Sequence, residues 1–373
     1  MTGHLLSIGL CGIFLSAAGA AEPLPFWENR KVEGDPLFFV QQEAERDDQP
    51  AAPAKAALLF TPEAPPVLRS ATGEVTYEPG KDFNWEPGSR EIRLVEGTRI
   101  PFKRSAELYP APGTPNSYKE ARNGKTWMLF GEGRYFHDLQ STASYPTADT
   151  WTGAVPAPAP EAQLAGFRSK LIAGQTIKLV TLGDSISTGA NASGAVGAPP
   201  GQPGYPGLVA QGLEARFGVK VVSKNLSVGG MSTPWGLQQI PAVLAEGPDL
   251  LIVAFGMNDA SGQTPTADYA ARTREIVGRV RGARPACEVI VVATMTANPE
   301  WSYAKPELYP AYAEALKGLT GNGCALADVT AVWKAVLEKK SYLSLSGNGL
   351  NHPNDFGHRI YADVILGVIA RKS

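Results

Sequence analysis

Between Pro25 and about Tyr145 the apolar positions fall in short segments broken by turn residues, such as Ala56–Phe60, Val75–Tyr77, Ile92–Val95 and Thr126–Phe130. Segments of this length, with Ala71-Thr72-Gly73 and Glu78-Pro79-Gly80 between them, predict antiparallel strands that reverse at those turns. The predicted unit is an N-terminal β-sandwich accessory domain over residues 22–151. Residues 152–166 (TGAVPAPAPEAQLAG) are rich in Ala, Pro and Gly and have no apolar period, which predicts an extended linker over 152–176.

The texture then changes. Apolar, β-rich runs at Ile177–Leu182, Val219–Val222, Leu250–Ala254, Val289–Ala293 and Ala325–Val329 alternate with helical segments at Pro206–Phe217, Trp235–Leu244, Ala267–Val280, Pro306–Leu319, Val332–Lys339 and Phe356–Ala370. Strand and helix in alternation predict right-handed βαβ units and a parallel sheet over residues 177–373.

A length of 373 residues agrees with two domains, since one core seldom fills a chain this long. Hydrophobic residues at 43% and charged residues at 19% describe a folded protein rather than a disordered one. The formal net charge is −2, and no basic run is long enough for a nucleic-acid footprint. The first twenty residues lack Asp, Glu, Lys and Arg, and an apolar run from Leu5 to Ala17 precedes Ala18-Gly19-Ala20. This predicts a signal peptide over 1–21, which takes Cys11 with it, and a secreted or periplasmic protein. No other stretch reaches the roughly 20 apolar residues of a membrane span.

The chemistry gathers at the predicted strand ends. Gly183-Asp184-Ser185-Ile186-Ser187 follows the first parallel strand, where an open α/β sheet exposes residues to ligand. Asn225-Leu226-Ser227-Val228-Gly229-Gly230 follows the second, and Gly256-Met257-Asn258-Asp259 the third. A carbonyl attacked by Ser185 becomes an oxyanion; the Gly230 amide, the Asn258 side chain and the Ser185 amide are candidate donors to it. A serine needs a base, and imidazole suits neutral pH. Of four histidines, His4 falls in the predicted signal, His137 in the β region and His358 on a helix. His352, in His352-Pro353-Asn354-Asp355 ahead of the last helix, is the candidate base.

Taken together, these four blocks resemble the SGNH/GDSL hydrolases over about Lys178 to Ile369. The resemblance implies a flavodoxin-like three-layer α/β/α fold, Ser185 as nucleophile, His352 as base, Gly230 and Asn258 as oxyanion donors, and no cofactor. The family usually places Asp three residues before the histidine, where this chain has Gly349. A backbone carbonyl of the Ser346–Asn351 loop, or Asn348, is therefore expected to orient His352, with Asp328 as the lesser alternative. No metal-binding spacing such as H-E-x-x-H occurs, and no metal site is expected.

An exported hydrolase of this kind preceded by a β-sandwich is similar to two-domain carbohydrate esterases. That likeness implies release of acetyl groups from acetylated polysaccharide or oligosaccharide, with Asp184, Trp235, Asn298 and Trp301 as candidate substrate-binding residues. A general short-chain acyl esterase of lipase type and a non-catalytic carbohydrate-binding protein are the alternatives. Neither nucleic acid nor membrane is expected as a partner. Finally, Cys287 and Cys324 each stand at the start of a predicted neighbouring strand, and in an oxidising compartment a disulfide between them is expected.

Overall fold

A computed structural model describes residues 25–44, 50–321 and 323–369. The predicted signal peptide and Cys11 lie outside the described residues. Among the described residues, no helix is long and apolar enough to cross a membrane.

Five parallel strands form the centre of the C-terminal half, in the order Val221–Asn225, Ile177–Gly183, Leu250–Ala254, Glu288–Ala293, Cys324–Asp328. Two of the inner members, Leu250–Ala254 and Glu288–Ala293, are buried throughout and almost wholly apolar because helices cover both faces. Among the covering helices, Tyr205–Phe217 packs against the final helix Asp355–Ile369, and Thr266–Ala283 against Leu308–Lys317. The chain leaves the first strand for one edge and returns to its other side. This reversal opens a crevice beyond the carboxyl ends of Ile177–Gly183 and Leu250–Ala254. The fold is the flavodoxin-like α/β arrangement.

The N-terminal region is rich in short strands. Lys31–Leu37, Ser141–Pro146 and Val67–Ser70 make an antiparallel three-stranded sheet. A five-stranded sheet runs in the order Phe83–Trp85, Glu91–Leu94, Lys55–Ala57, Phe39–Gln41, Phe102–Arg104. Its last pair is parallel, a departure from the all-antiparallel expectation, because the chain crosses over between Gln41 and Phe102 rather than turning back. The predicted strand at 75–77 is reduced to a single bridge, Arg69 to Thr76. A small hairpin, Ser117–Tyr118 with Met128–Leu129, completes the region.

The Pro-rich stretch is extended to about residue 160, then enters the helix Ala165–Ile172, which alternation alone did not reveal. The Ala159 amide bonds to the Val368 carbonyl, and Arg168 donates to the carbonyls of Val368 and Ile369. The segment is thus docked along the last helix. The two halves also share buried polar contacts: Lys340 pairs with Asp35 at 2.7 Å, and neither side chain is exposed. Asp35 further accepts from the Tyr145 hydroxyl (2.6 Å) and the Leu59 amide (2.7 Å).

The expected disulfide is absent: Cys287 and Cys324 are both free and buried. The ladder pairs Cys324 with Val289, two residues beyond Cys287. Two residues along a strand plus one strand spacing put Cα atoms about 8 Å apart, beyond disulfide reach. Burial pushes each thiol up to about 12.

Candidate active site

The strand Ile177–Gly183 ends where backbone must pass close to backbone. A Cβ on Gly183 would stand 2.5 Å from the Ala254 carbonyl, so the turn into the nucleophile segment requires glycine. Asp184 caps the short helix Ser185–Thr188 by accepting from the Ile186 amide at 3.0 Å. It is buried, and burial raises its carboxyl to about 7. Asp184 therefore braces the nucleophile turn and is not open to substrate, contrary to the expectation for it.

Ser185 is half-buried, and its Oγ lies 2.9 Å from Nε2 of His352. The other ring nitrogen, Nδ1, lies 2.7 Å from Oδ1 of Asn191. The Asn191 amide nitrogen donates to the Gly133 carbonyl at 3.3 Å, which turns its oxygen toward the imidazole. Nδ1 therefore carries the proton, and Nε2 is left free to accept from the serine. Burial lowers the pKa of His352 below the usual 6.5, with Glu132 acting in the opposite direction. The ring is neutral at pH 7, as a base must be.

None of the predicted orienters touches the ring. Asn348 is buried with its Oδ1 accepting from the amides of Leu350, Asn351 and His352 at 3.0 to 3.1 Å, so it holds the loop rather than the imidazole. Asp328 caps the helix Val329–Leu337 through the Ala331 amide at 2.9 Å. The carbonyls of the Ser346–Asn351 loop give way to Asn191 as well. A neutral oxygen does face Nδ1, but it comes from the loop after the nucleophile and not from the loop before the histidine.

Ser185, His352, Gly230 and Asn258 line one cleft of about 250 Å³. One Asn258 side-chain N–H donates to the Met231 carbonyl at 2.9 Å, which fixes the amide and leaves its second N–H available. Trp301 lines the same cleft, edge-on to Tyr118 with centroids 6.3 Å apart. Two other candidates for substrate contact do not line it. Trp235 packs edge-on to Phe255, and Asn298 is buried with its side chain donating to the Gly349 carbonyl and accepting from the Glu300 amide. Tyr118, Phe130 and Glu132, all from the N-terminal region, complete the wall. Among the described residues, no group of three His, Cys, Asp or Glu is placed to hold a metal ion.

Residues 181–360 match the GDSL-like lipase/acylhydrolase family. The match spans just under half of the chain. Solved structures similar to this chain include a two-domain esterase active on acetylated mannans, co-crystallised with mannopentaose. It is 20% identical over 57% of this chain and 54% of its own, with a TM-score of 0.46. The match thus spans about half of that esterase's length. An acetyl xylan esterase from Geobacillus stearothermophilus is 20% identical over 52% of this chain and 94% of its own, at a TM-score of 0.42. A lipase from a goat rumen metagenome is 16% identical over 52% and 97%, at 0.43. No curated protein sequence matches this chain.

Proposed function

We propose that this protein is a secreted serine esterase of the GDSL type that removes acetyl groups from carbohydrate through an acyl-enzyme on Ser185. The observation that carries the reading is the run Ser185 Oγ, His352 Nε2, His352 Nδ1, Asn191 Oδ1, with contacts of 2.9 and 2.7 Å, at the foot of an open cleft. As Oγ attacks the ester carbonyl, its proton passes to Nε2 and the carbonyl oxygen becomes an oxyanion. The Gly230 amide, the free N–H of Asn258 and the Ser185 amide are the donors for that charge. Collapse of the intermediate breaks the bond to the sugar oxygen, which takes the proton from the imidazolium. Water, deprotonated by His352, then releases acetate and restores Ser185.

Trp301 and Tyr118 favour a carbohydrate on the alcohol side, since aromatic faces and edges suit the C–H surfaces of sugar rings. The polar rim of Glu132, Asn258 and Asn351 is ill-suited to a long acyl chain. The uncharged apolar run at Leu5–Ala17 supports export.

Acetate release from acetylated xylan, mannan and pectin, by the intact chain and by Ser185→Ala, tests the reading. Release by the first and about 10³-fold less by the second is expected. Undiminished release by Ser185→Ala removes the nucleophile. Turnover of long-chain acyl esters in preference to all three polymers replaces the substrate class.

A further inference from the structure

Gly349 has φ +89°, and a Cβ built on it would stand 2.5 Å from the Leu129 carbonyl and 2.6 Å from Cζ of Phe136. The N-terminal region therefore fills the space beside the histidine loop, and no side chain can occupy position 349. The segment that crowds it continues past Leu129 into the active site. The Gly131 amide bonds to the Asn348 carbonyl at 3.3 Å, and the Gly133 carbonyl receives Asn191 at 3.3 Å. Residues 131–133 are thus tied to both asparagines that hold His352. Between these ties, Glu132 Oε1 accepts from Asn348 Nδ2 at 3.3 Å and lies 3.9 Å from Nδ1 of His352.

We infer that Glu132 supplies the negative charge of this active site from the N-terminal region, as a positioning residue that stabilises the His352 imidazolium while Asn191 selects its tautomer. One carboxylate usually does both tasks in a serine hydrolase. Here they are divided, because Asn191 fills the hydrogen-bonding position on Nδ1 and leaves Glu132 to act across a short gap. During acylation the proton moves from Oγ to Nε2, the Oγ–carbon bond forms, and the ring becomes a cation beside Glu132; the carboxylate itself takes no proton. Its side chain is 56% exposed, so the attraction is screened and its effect is moderate.

Among the charged groups around the ring, Glu132 is the one that raises its pKa. His358 and Asp355 lie on the following helix. Burial holds His358 neutral, with its pKa near 4, and Asp355 accepts from the Ser193 amide at 2.7 Å. Asp184 sits beneath the nucleophile turn, bonded to the Ile186 amide.

The inference rests on His352 being the base, so the experiment reads the ring directly. The His352 ring is titrated by NMR in the resting full-length protein, in Glu132→Gln and in Glu132→Asp, and kcat is followed against pH for p-nitrophenyl acetate. Loss of the charge is expected to lower the ring pKa by about half a unit and kcat by about 3- to 10-fold. Both effects should shrink in 1 M NaCl, with Glu132→Asp intermediate. An unmoved ring pKa overturns the inference, whether or not kcat falls, because a structural role would leave the titration in place. A shifted pKa with unchanged kcat overturns it too. If Ser185→Ala retains turnover, the acyl-enzyme reading fails instead, and the ring titration still judges Glu132.

Discussion

Asn191 Oδ1 accepts the Nδ1 proton of His352 at 2.7 Å, and a left-handed backbone at Asn191 (φ 62°) turns its side chain back toward the ring. Asparagine adopts that conformation more readily than most residues. Asn191→Ala should lower kcat by about 10²-fold with little change in KM, since tautomer selection acts on the chemical step. Asn191→Asp should keep much of the rate and raise the ring pKa, moving the acidic limb of kcat to higher pH. Initial rates on p-nitrophenyl acetate between pH 5 and 9 check both.

Asn258 is fixed by the Met231 carbonyl and presents its second N–H to the cleft. Asn258→Ala is expected to reduce kcat by about 10²-fold. Thermal unfolding of the same variant separates the roles: a large loss of stability with normal kcat would make Asn258 a turn residue.

Two buried groups should work against each other as pH changes. Burial holds His358 at about 4 against 6.5 in the unfolded chain, so the stability it contributes is complete above pH 6.5 and is lost as pH falls toward 4. Asp184, raised to about 7 from 3.8, contributes fully below pH 3.8 and loses that contribution as pH rises toward 7. Asp184→Asn keeps an oxygen for the Ile186 amide but does not titrate. Relative to the parent it should gain about 4 kcal/mol between pH 4 and 7. Urea unfolding across that range measures the difference, and a constant offset would show that Asp184 titrates normally.

Cys287 and Cys324 are buried thiols raised to about 12, and thiolate is the reactive form. Neither should react with Ellman's reagent at pH 8 in the native protein, and both should react once it is unfolded without reductant. Peptide mapping showing a Cys287–Cys324 bridge would contradict the strand register.

Lys340 and Asp35 are fully buried partners across the two halves. Lys340→Met strands a buried carboxylate and should cost about 3 to 5 kcal/mol of unfolding free energy. Pairing it with Asp35→Asn should recover part of the loss. Additive destabilisation in the double variant would show that the pair is not coupled.

The parallel sheet was readable because strands buried on both faces are written as unbroken apolar runs, as in LLIVA at Leu250–Ala254. Ser185, Gly230, Asn258 and His352 were readable because each follows a strand end or precedes a helix, and the topology carries such positions to one crevice. Asn191 carried a faint signal, an asparagine among glycines six residues after the nucleophile. Glu132 carried none, since it is more than two hundred residues from His352 and reaches it only after the N-terminal region docks. Asn298 and Trp235 were misjudged for a related reason. Polar and aromatic residues near a site look alike in sequence whether they face the cleft or, as Asn298 does, brace the loop behind it.

The crowding at Gly349 makes the two segments depend on each other. An aspartate there would meet a left-handed backbone, the Leu129 carbonyl and the Phe136 ring at once, so a carboxylate three residues before the histidine is shut out while the N-terminal segment is docked. Displacing the N-terminal segment would open that position, and it would take Glu132 and the support of Asn191 with it. A recombination break in the permissive-looking Pro-rich stretch between the two segments would separate Glu132 and Gly133 from the histidine loop and the asparagines they contact.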